Sequence, residues 1–189
     1  NDDRNNKSHS HRQGSSYSLV DFNRAGVPLM ELVTEPDIKS GEEAVAFAKE
    51  LQLILRYLGI SDADMEKGQL RIEVNLSLGQ SANGKAQMGT KVEIKNLNSF
   101  RAVQEAIDYE IERQAKILDE GQEIKQETRG WDDVKKITVG QRFKEESHDY
   151  RYFPEPDIPP LNLKKVDLEK LRIEIPELPA QKRKRFVDE

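Results

Sequence analysis

The stretch that decides the fold is KGQLRIEVNLSL (67–78), followed after a Gly-, Ser- and Asn-rich connection by GTKVEIKNLNSF (89–100). In the first segment apolar residues occupy every second position from Leu70 to Leu78. The second segment alternates in the same way around Val92 and Ile94. Because successive side chains of a strand point to opposite faces, the sequence predicts two half-buried strands. We expect them to be antiparallel and joined by a hairpin loop from about Gly79 to Gly89.

The polar positions of these two strands predict a charged sheet face turned away from the core. Its members are Arg71, Glu73, Asn75, Lys91, Glu93 and Lys95. Two carboxylates among three cations can hold a metal ion and a polyphosphate. The same charges can equally form a solvated surface that neutralises itself, and the residues alone do not decide between these interpretations.

Composition excludes several classes of protein. The chain has 189 residues, no Cys, 34% charged residues and a formal net charge of −5. It is long enough for one domain with a core, and it has no disulfide or thiolate metal site. The acidic balance argues against nucleic-acid binding driven by bulk charge. No apolar run approaches the roughly 20 residues of a membrane span, so we expect a cytoplasmic or organellar protein.

The two ends of the chain differ from its middle in composition and in predicted structure. Residues 1–16 contain no apolar side chain, which favours a disordered or loop segment. His9 and His11 form an H-x-H pair, typical either of a metal site or of two solvated histidines. Residues 162–189 read as a linker and the start of a helical domain, with KRKR (182–185) as a solvated helix face. A chain that starts at Asn1 and ends within a helical pattern suggests a fragment of a longer protein.

Two short strands are predicted before the first helix. One covers Tyr17 to Phe22, and the other is the apolar run Leu29 to Val33, which Pro36 ends. Glu31 interrupts this second run. Because a carboxylate is rarely buried without a partner, we expect Glu31 to face a polar cleft or a cation.

Two amphipathic helices are marked by their caps. Ser40 and Glu43 form a capping box, and apolar residues at three- and four-residue spacing continue to Leu58, before Gly59. A second helix is predicted from about Phe100 to Asp119. The junction before it contains Lys95, Asn98 and Ser99. It suits either an anion at the helix N-terminus or plain capping by Asn98 or Ser99.

The remaining segments predict a hairpin and an extended exit. Residues 122–129 and 135–144 read as its two strands, with the turn at Gly130-Trp131-Asp132-Asp133. The segment after them, SHDYRYFPEPDIPPL (147–161), combines an adjacent His148–Asp149 pair with Arg151 between two tyrosines. Arg151 suits a phosphate contact or stacking on a base, or simply an aromatic edge strand.

From the strand directly before the first helix onward, the order of elements is β-α-β-β-α-β-β. It predicts an α+β fold with helices on one face of an antiparallel sheet. The other sheet face is then free for the charged residues described above.

Several long motifs resemble one family. They are SLVDFNRAGVPLMELVTEPD, MEKGQLRIEVNLSL, TKVEIKNLNSF, QETRGWD and SHDYRYFPEPDIPPL, in this order between Tyr17 and Leu161. Together they resemble the GatB/GatE family, which comprises the B subunit of the aspartyl/glutamyl-tRNA amidotransferase and its archaeal relative, the E subunit. The resemblance implies a glutamine synthetase/guanido kinase-like fold, with residues 17–161 as the C-terminal part of the catalytic domain.

The resemblance also implies an activity, cofactors and partners. The protein is expected to use ATP and Mg²⁺ to phosphorylate the side-chain carboxylate of glutamate or aspartate mischarged on tRNA. Ammonia, released from glutamine by the enzyme's amidase subunit, then replaces the phosphate, and a small C subunit holds the other two together. The enzyme is thus expected to be an ATP-dependent carbon–nitrogen ligase with glutamine as amido donor.

Matching motifs assign roles to particular residues. Glu31 in PLMELVTEPD falls at a family Mg²⁺ ligand, and Glu73 falls where many bacterial members carry Asp. Glu93 is the third candidate for metal binding and catalysis. Cations expected to contact phosphate or carboxylate groups are Arg71, Lys91, Lys95 and Arg151.

Two other functions compete with this one. A ligase or kinase of the same fold could act on a free small molecule. A non-catalytic module could use the charged sheet face to dock RNA or a protein. A binding face of that kind is expected to be basic or rich in aromatic residues, whereas this one interleaves carboxylates with cations.

The resemblance also implies parts that have no counterpart in the 189 residues. These are the family's N-terminal strands, with a zinc motif and further Mg²⁺ ligands, and its C-terminal tRNA-binding domains. We therefore expect this chain alone to be inactive. With ATP, Mg²⁺, ammonium and mischarged tRNA, it should form no amide above the enzyme-free background. ATP-dependent amide formation by the chain alone would contradict this expectation.

Overall fold

The computed structural model describes residues 9–11, 18–23, 26–82, 85–141, 159–160, 162, 164 and 166–189. The chain divides into two units, Asn1–Ile38 and Lys39–Glu189. The charged strands identified from the sequence belong to the larger unit.

The smaller unit contains a short antiparallel ladder. Strand β1 (His9–His11) pairs with β2 (Ser18–Val20). The second strand confirms part of the one predicted from Tyr17 to Phe22. The first forms where composition led us to expect a disordered or loop segment. A ladder is held by backbone hydrogen bonds, so three residues without apolar side chains can form one.

The strand predicted from Leu29 to Val33 is wrong. These residues are irregular and exposed, and Leu29 itself is 92% exposed. Pro28 and Pro36 flank the run, and each removes a backbone donor and restricts the residue before it. Apolar content alone therefore did not produce a strand, because no ladder pairs this segment within the described residues.

The larger unit begins with one long helix, and a second long helix follows two of the four strands of its main sheet. Helix α1 (Gly41–Tyr57) precedes β3 (Ile72–Leu76), and β6 (Val92–Leu97) leads into α2 (Phe100–Asp119). Between β3 and β6 the connection forms its own small ladder. The elements that complete the unit are β4 (Gln80–Ala82), β5 (Lys85–Gln87), β7 (Glu127–Asp132), β8 (Ile137–Gly140), α3 (Leu168–Glu174) and α4 (Pro179–Asp188).

The predicted helix ends are confirmed. The Ser40 hydroxyl accepts a hydrogen bond from the Glu43 amide at 3.1 Å, and the Glu43 carboxylate accepts one from the Lys39 amide at 2.7 Å. Beyond the two helices, Gly59 and Gly121 have φ values of 66° and 73°. Glycine adopts this left-handed conformation without steric cost.

The sheet is mixed, so the prediction of an antiparallel sheet is wrong in one place. Its order is β3-β6-β7-β8, in which β3–β6 and β7–β8 are antiparallel and β6–β7 is parallel. The parallel pair arises because α2 is a crossover between its two strands. A helix packed on the sheet returns the chain to the same end, and the next strand then runs in the same direction.

One face of the sheet is covered by α2, and α1 packs against α2 in turn. We call the covered side the inner face. Its apolar residues form the core together with one stripe of α2 and with Val45 of α1. The buried members of this core are Val45, Ile94, Leu97, Ala102, Val103, Ala106, Ile107 and Trp131.

The hairpin predicted after α2 is present, but its turn lies further along the chain. Gly130 and Trp131 are in strand β7, and the turn falls at 133–136. Trp131 is 6% exposed and meets the Tyr109 ring edge-on, with ring centroids 6.3 Å apart. Burial of the large indole on the inner face favours a strand over a turn at this position.

The last helix docks on the first. On α4, Arg183 pairs with Glu50 of α1 at 2.7 Å, and the Lys182 ammonium lies 5.8 Å from the centre of the Tyr57 ring. As predicted, the KRKR segment therefore lies on a helix, and Arg185 of that segment pairs with Glu177. Three of its four basic side chains, those of Lys182, Arg183 and Arg185, are thus engaged within the chain itself.

Between α2 and the sheet lies a buried polar network centred on Glu110, which has no exposed surface. Its carboxylate accepts hydrogen bonds from Arg113 at 2.6 Å, from Gln114 at 3.0 Å and from the Thr138 hydroxyl at 2.9 Å. The Arg129 guanidinium lies 3.7 Å from it. A buried carboxylate is tolerated because it is paired and fully hydrogen-bonded.

Burial by itself would raise the pKa of Glu110, but hydrogen bonds from Arg113, Gln114 and Thr138 outweigh it and hold that pKa below its ordinary value of 4.5. A lowered pKa means that the folded state favours the carboxylate. This contribution to stability is present at neutral pH and disappears as the pH falls through the folded-state pKa.

Replacing Glu110 by Gln should reduce the free energy of unfolding at pH 7 by about 3 kcal/mol, because two arginines lose a buried partner. Between pH 7 and pH 3 the variant should also lose less stability than the parent chain. Urea unfolding at a series of pH values measures both effects. Glu112→Gln, an exposed neighbour on α2, serves as the matched control. Equal stability of the Glu110 and Glu112 variants would contradict the assignment.

Candidate functional site

Along β3 and β6, apolar residues that form the core alternate with polar residues that form the candidate site. The apolar residues Val92 and Ile94 have no exposed surface, whereas Glu73 and Asn75 are exposed. We call the side of the sheet opposite α2 the outer face. Its polar residues include Glu73, Asn75, Glu93, Lys95 and, from β7, Thr128.

Five side chains on and beside the outer face form a continuous row of contacts, the outer-face row. Arg71 lies 3.3 Å from Glu73. The Lys95 ammonium lies 3.7 Å from Glu73 Oε2 and 3.4 Å from Glu93 Oε1. At the end of the row, the Thr128 hydroxyl donates to Glu93 Oε2 at 2.8 Å. The two predicted carboxylates are thus brought together around one shared cation.

The row is accessible to ligands. Side-chain exposure is 37% for Glu73, 31% for Glu93 and 36% for Lys95. Ion pairs with this exposure contribute about 0–1 kcal/mol to stability. Another cation or an anion could therefore exchange for these partners at little cost to the fold.

A bulge in β6 keeps Lys95 in the row and returns Leu97 to the core. Ile72 lies opposite Leu97 and Val74 lies opposite Ile94, so β6 has one more residue than β3 over this interval. Asn96 takes up the extra residue with a φ of 63°. Asn is among the residues that adopt this conformation most readily. The sequence pattern had indicated the alternation only as far as Lys95.

Gly130 leaves room beside the row. It lies opposite Lys95 in the β6–β7 register. A Cβ atom at this position would come 2.5 Å from the Gln141 Nε2 atom and 3.0 Å from the Asn96 Nδ2 atom. The two carboxamides therefore lie over the bare glycine backbone at the edge of the outer face.

Of the other predicted site residues, the structure describes Lys91 and Glu31. Lys91 is exposed just before β6. Glu31 is exposed in the irregular segment of the smaller unit, so the strand position predicted for it is wrong. That it faces a polar cleft or a cation stays a prediction. Arg151, His148 and Asp149 lie outside the described residues.

The junction before α2 is explained by capping. The Ser99 hydroxyl accepts a hydrogen bond from the Ala102 amide at 3.0 Å. Of the two interpretations of this junction, the structure favours the plain N-cap.

Thr128 is the member of the row that sequence reasoning missed. It lies in the QETRGWD motif, and alternation with Glu127 and Arg129 could have assigned it to the opposite strand face. Its neighbour across the sheet could not be inferred, because the prediction did not include the parallel pairing of β6 with β7.

Comparison with known proteins agrees with the sequence motifs. Residues 2–169 match the family model described as the GatB/GatE catalytic domain. The chain belongs to this family. The match covers the outer-face row and both long helices of the larger unit.

Curated relatives within the family are named as the B subunit of aspartyl/glutamyl-tRNA(Asn/Gln) amidotransferase. The protein of Gloeothece citriformis is 55% identical over 176 residues, which cover 93% of this chain and 35% of the relative. That of Crocosphaera subtropica is 57% identical over 173 residues, covering 92% and 34%. The chain thus spans about a third of the length of the relatives it matches.

The donor set of the outer-face row fits the metal that the GatB/GatE resemblance implies. Mg²⁺ prefers oxygen ligands and is commonly held by one or two carboxylates together with substrate phosphates and water. Glu73 and Glu93 supply two carboxylates. Among the described residues, no three His, Asp or Glu side chains are grouped closely enough to hold a metal ion.

The helices in the described ranges include none that is long and apolar enough to cross a membrane.

Substitutions on the two faces of β6 should differ in their cost to stability. Glu93→Gln should change the free energy of unfolding by less than about 1 kcal/mol, because its ion pair is partly exposed. Ile94→Ala, one residue along, should cost about 3 kcal/mol through the cavity it leaves. Denaturant unfolding of both variants measures the difference. A Glu93→Gln loss as large as that of Ile94→Ala would make Glu93 a structural residue.

Proposed function

We propose that this chain is part of a protein that phosphorylates the side-chain carboxylate of glutamate or aspartate attached to tRNA, using ATP and Mg²⁺. The proposal is supported by the family membership and by the name of the curated relatives, which specifies a tRNA-dependent amidotransferase. We also propose that the α+β fold is of the glutamine synthetase/guanido kinase-like type.

The observation that carries the proposal is the pair Glu73 and Glu93 around Lys95 on the outer face. Phosphoryl transfer depends mainly on positioning and on neutralising the charge that spreads over the transferred group. When bound, Mg²⁺ would supply most of that neutralisation. Both carboxylates would hold the metal.

The cations of the same face have a complementary role. Lys95, with Arg71 at one end of the row and Lys91 beside β6, would contact phosphate oxygens. Of these, Lys95 is shared by both carboxylates. An ammonium can turn from a carboxylate to a phosphate without leaving the site, since both are oxygen anions.

The proposed reaction has two steps. A substrate carboxylate oxygen attacks the γ-phosphorus of ATP, and the bond to the ADP oxygen breaks, giving an acyl phosphate. Ammonia then attacks the acyl carbon, inorganic phosphate leaves and a proton is released to form the amide. We propose that the ammonia comes from glutamine through the amidase subunit, with the small C subunit completing a heterotrimer.

Glu31 and Arg151 complete the proposed set. By its motif Glu31 would be a third Mg²⁺ ligand, and Arg151 would contact phosphate or a base. The mischarged tRNA is the proposed substrate, and the protein would act in the cytoplasm or an organelle matrix during translation.

The test uses the full-length protein that carries these residues, assembled with its amidase and small subunits. Glu73→Gln and Glu93→Gln should each reduce ATP-dependent amidation of mischarged tRNA on the order of 100-fold. Glutamine hydrolysis by the amidase subunit should persist, because its site lies on another chain. Amidation is followed by analysis of the aminoacyl group, and ATP cleavage by phosphate release.

Glu123→Gln, an exposed carboxylate outside the outer face, is the matched control and should retain activity. Full amidation by both row variants would show that Glu73 and Glu93 are only partners in surface ion pairs. Amidation of free glutamate or aspartate as readily as of the charged tRNA would instead support a small-molecule ligase.

A further inference from the structure

We infer that Thr128 is a positioning residue that holds Glu93 in the orientation required for metal binding. The inference rests on the proposed function, because it concerns one carboxylate of the proposed site. Thr128 itself would not touch the metal or the substrate.

The backbone places the two residues side by side. Glu93 of β6 and Thr128 of β7 are partners in the parallel register, so their side chains emerge from neighbouring strands on the outer face. The Thr128 hydroxyl donates a hydrogen bond of 2.8 Å to Glu93 Oε2. A donor to an ionised carboxylate makes a stronger bond than one between neutral groups.

The two oxygens of Glu93 have different partners. Oε1 faces the Lys95 ammonium at 3.4 Å, and Oε2 receives the Thr128 hydroxyl. Glu has several rotatable side-chain bonds, whereas the β-branched Thr is restricted about χ1. The stiff residue therefore fixes the flexible one.

The two partners respond differently to an incoming cation. Lys95 carries a positive charge and pairs with both carboxylates, so it competes with a divalent ion for the same oxygens. The Thr128 hydroxyl is neutral. Because a carboxylate oxygen has two lone pairs, Oε2 can keep this hydrogen bond while the carboxylate binds a metal. Thr128 is thus the partner that continues to orient Glu93 once Lys95 is displaced.

The experiment measures binding of Mn²⁺, a spectroscopic substitute for Mg²⁺, to the full-length protein in its complex with a non-hydrolysable ATP analogue. Thr128→Val removes the hydroxyl and keeps the shape. It should weaken Mn²⁺ binding about tenfold, the size of effect typical of residues that orient metal ligands. Thr128→Ser retains the donor but not the β-branch, so it should weaken Mn²⁺ binding clearly less than Thr128→Val does.

Thr90→Val, at an exposed position outside the row, is the matched control and should leave Mn²⁺ binding unchanged. Thermal unfolding of each variant separates loss of metal binding from loss of fold. In amidation assays, Thr128→Val should raise the Mg²⁺ concentration needed for half-maximal rate more than it lowers the rate at saturating Mg²⁺.

The outcomes distinguish this inference from the proposed function. If Glu93→Gln weakens Mn²⁺ binding and Thr128→Val does not, the role of Thr128 is overturned and the metal face stands. If neither Glu73→Gln nor Glu93→Gln affects Mn²⁺ binding, the metal face and the inference fail together. Equal weakening by Thr128→Val and Thr128→Ser would also overturn the inference, because the hydroxyl would then not be the active group.

Discussion

The antiparallel pairing of β3 with β6 is the constraint on which the larger unit depends. Its inner side contributes Ile94 and Leu97 to the core under α2. The pleat that buries these residues turns Glu73 and Glu93 to the other side. A shift of the register by one residue would bury the carboxylates and expose the apolar residues. The burial that stabilises the fold therefore also fixes which charged groups share the outer face.

The sequence was most informative where one short-range rule applied. Alternating polarity identified β3, β6 and their two faces, and the caps Ser40 and Ser99 located both long helices. These predictions depend on residues close together in the chain, so tertiary structure had little to change. The charged residues of the outer-face row could be predicted, because alternation is enough to assign a strand residue to a face.

The remaining features depend on contacts between distant segments. Glu110 and Gln114 have polar side chains on α2, yet they are fully buried because Arg113, Arg129 and Thr138 surround them. The apolar spacing along this helix predicts no polar residue in the buried stripe. The parallel β6–β7 pairing, which brings Thr128 to Glu93, likewise arises from the crossover helix. For Glu31 the apolar neighbours indicated a strand, but a run of apolar residues without a pairing partner does not form one.

The central claim is that the outer face of β3 and β6 binds the divalent metal used with ATP. Metal-directed cleavage tests it most directly. In the full-length protein with an ATP analogue, Fe²⁺ in place of Mg²⁺ generates hydroxyl radicals with ascorbate and peroxide, and these cut the backbone next to the metal. We predict cuts within Ile72–Leu76 and Val92–Leu97 that excess Mg²⁺ suppresses. Cuts confined to other segments would contradict the claim.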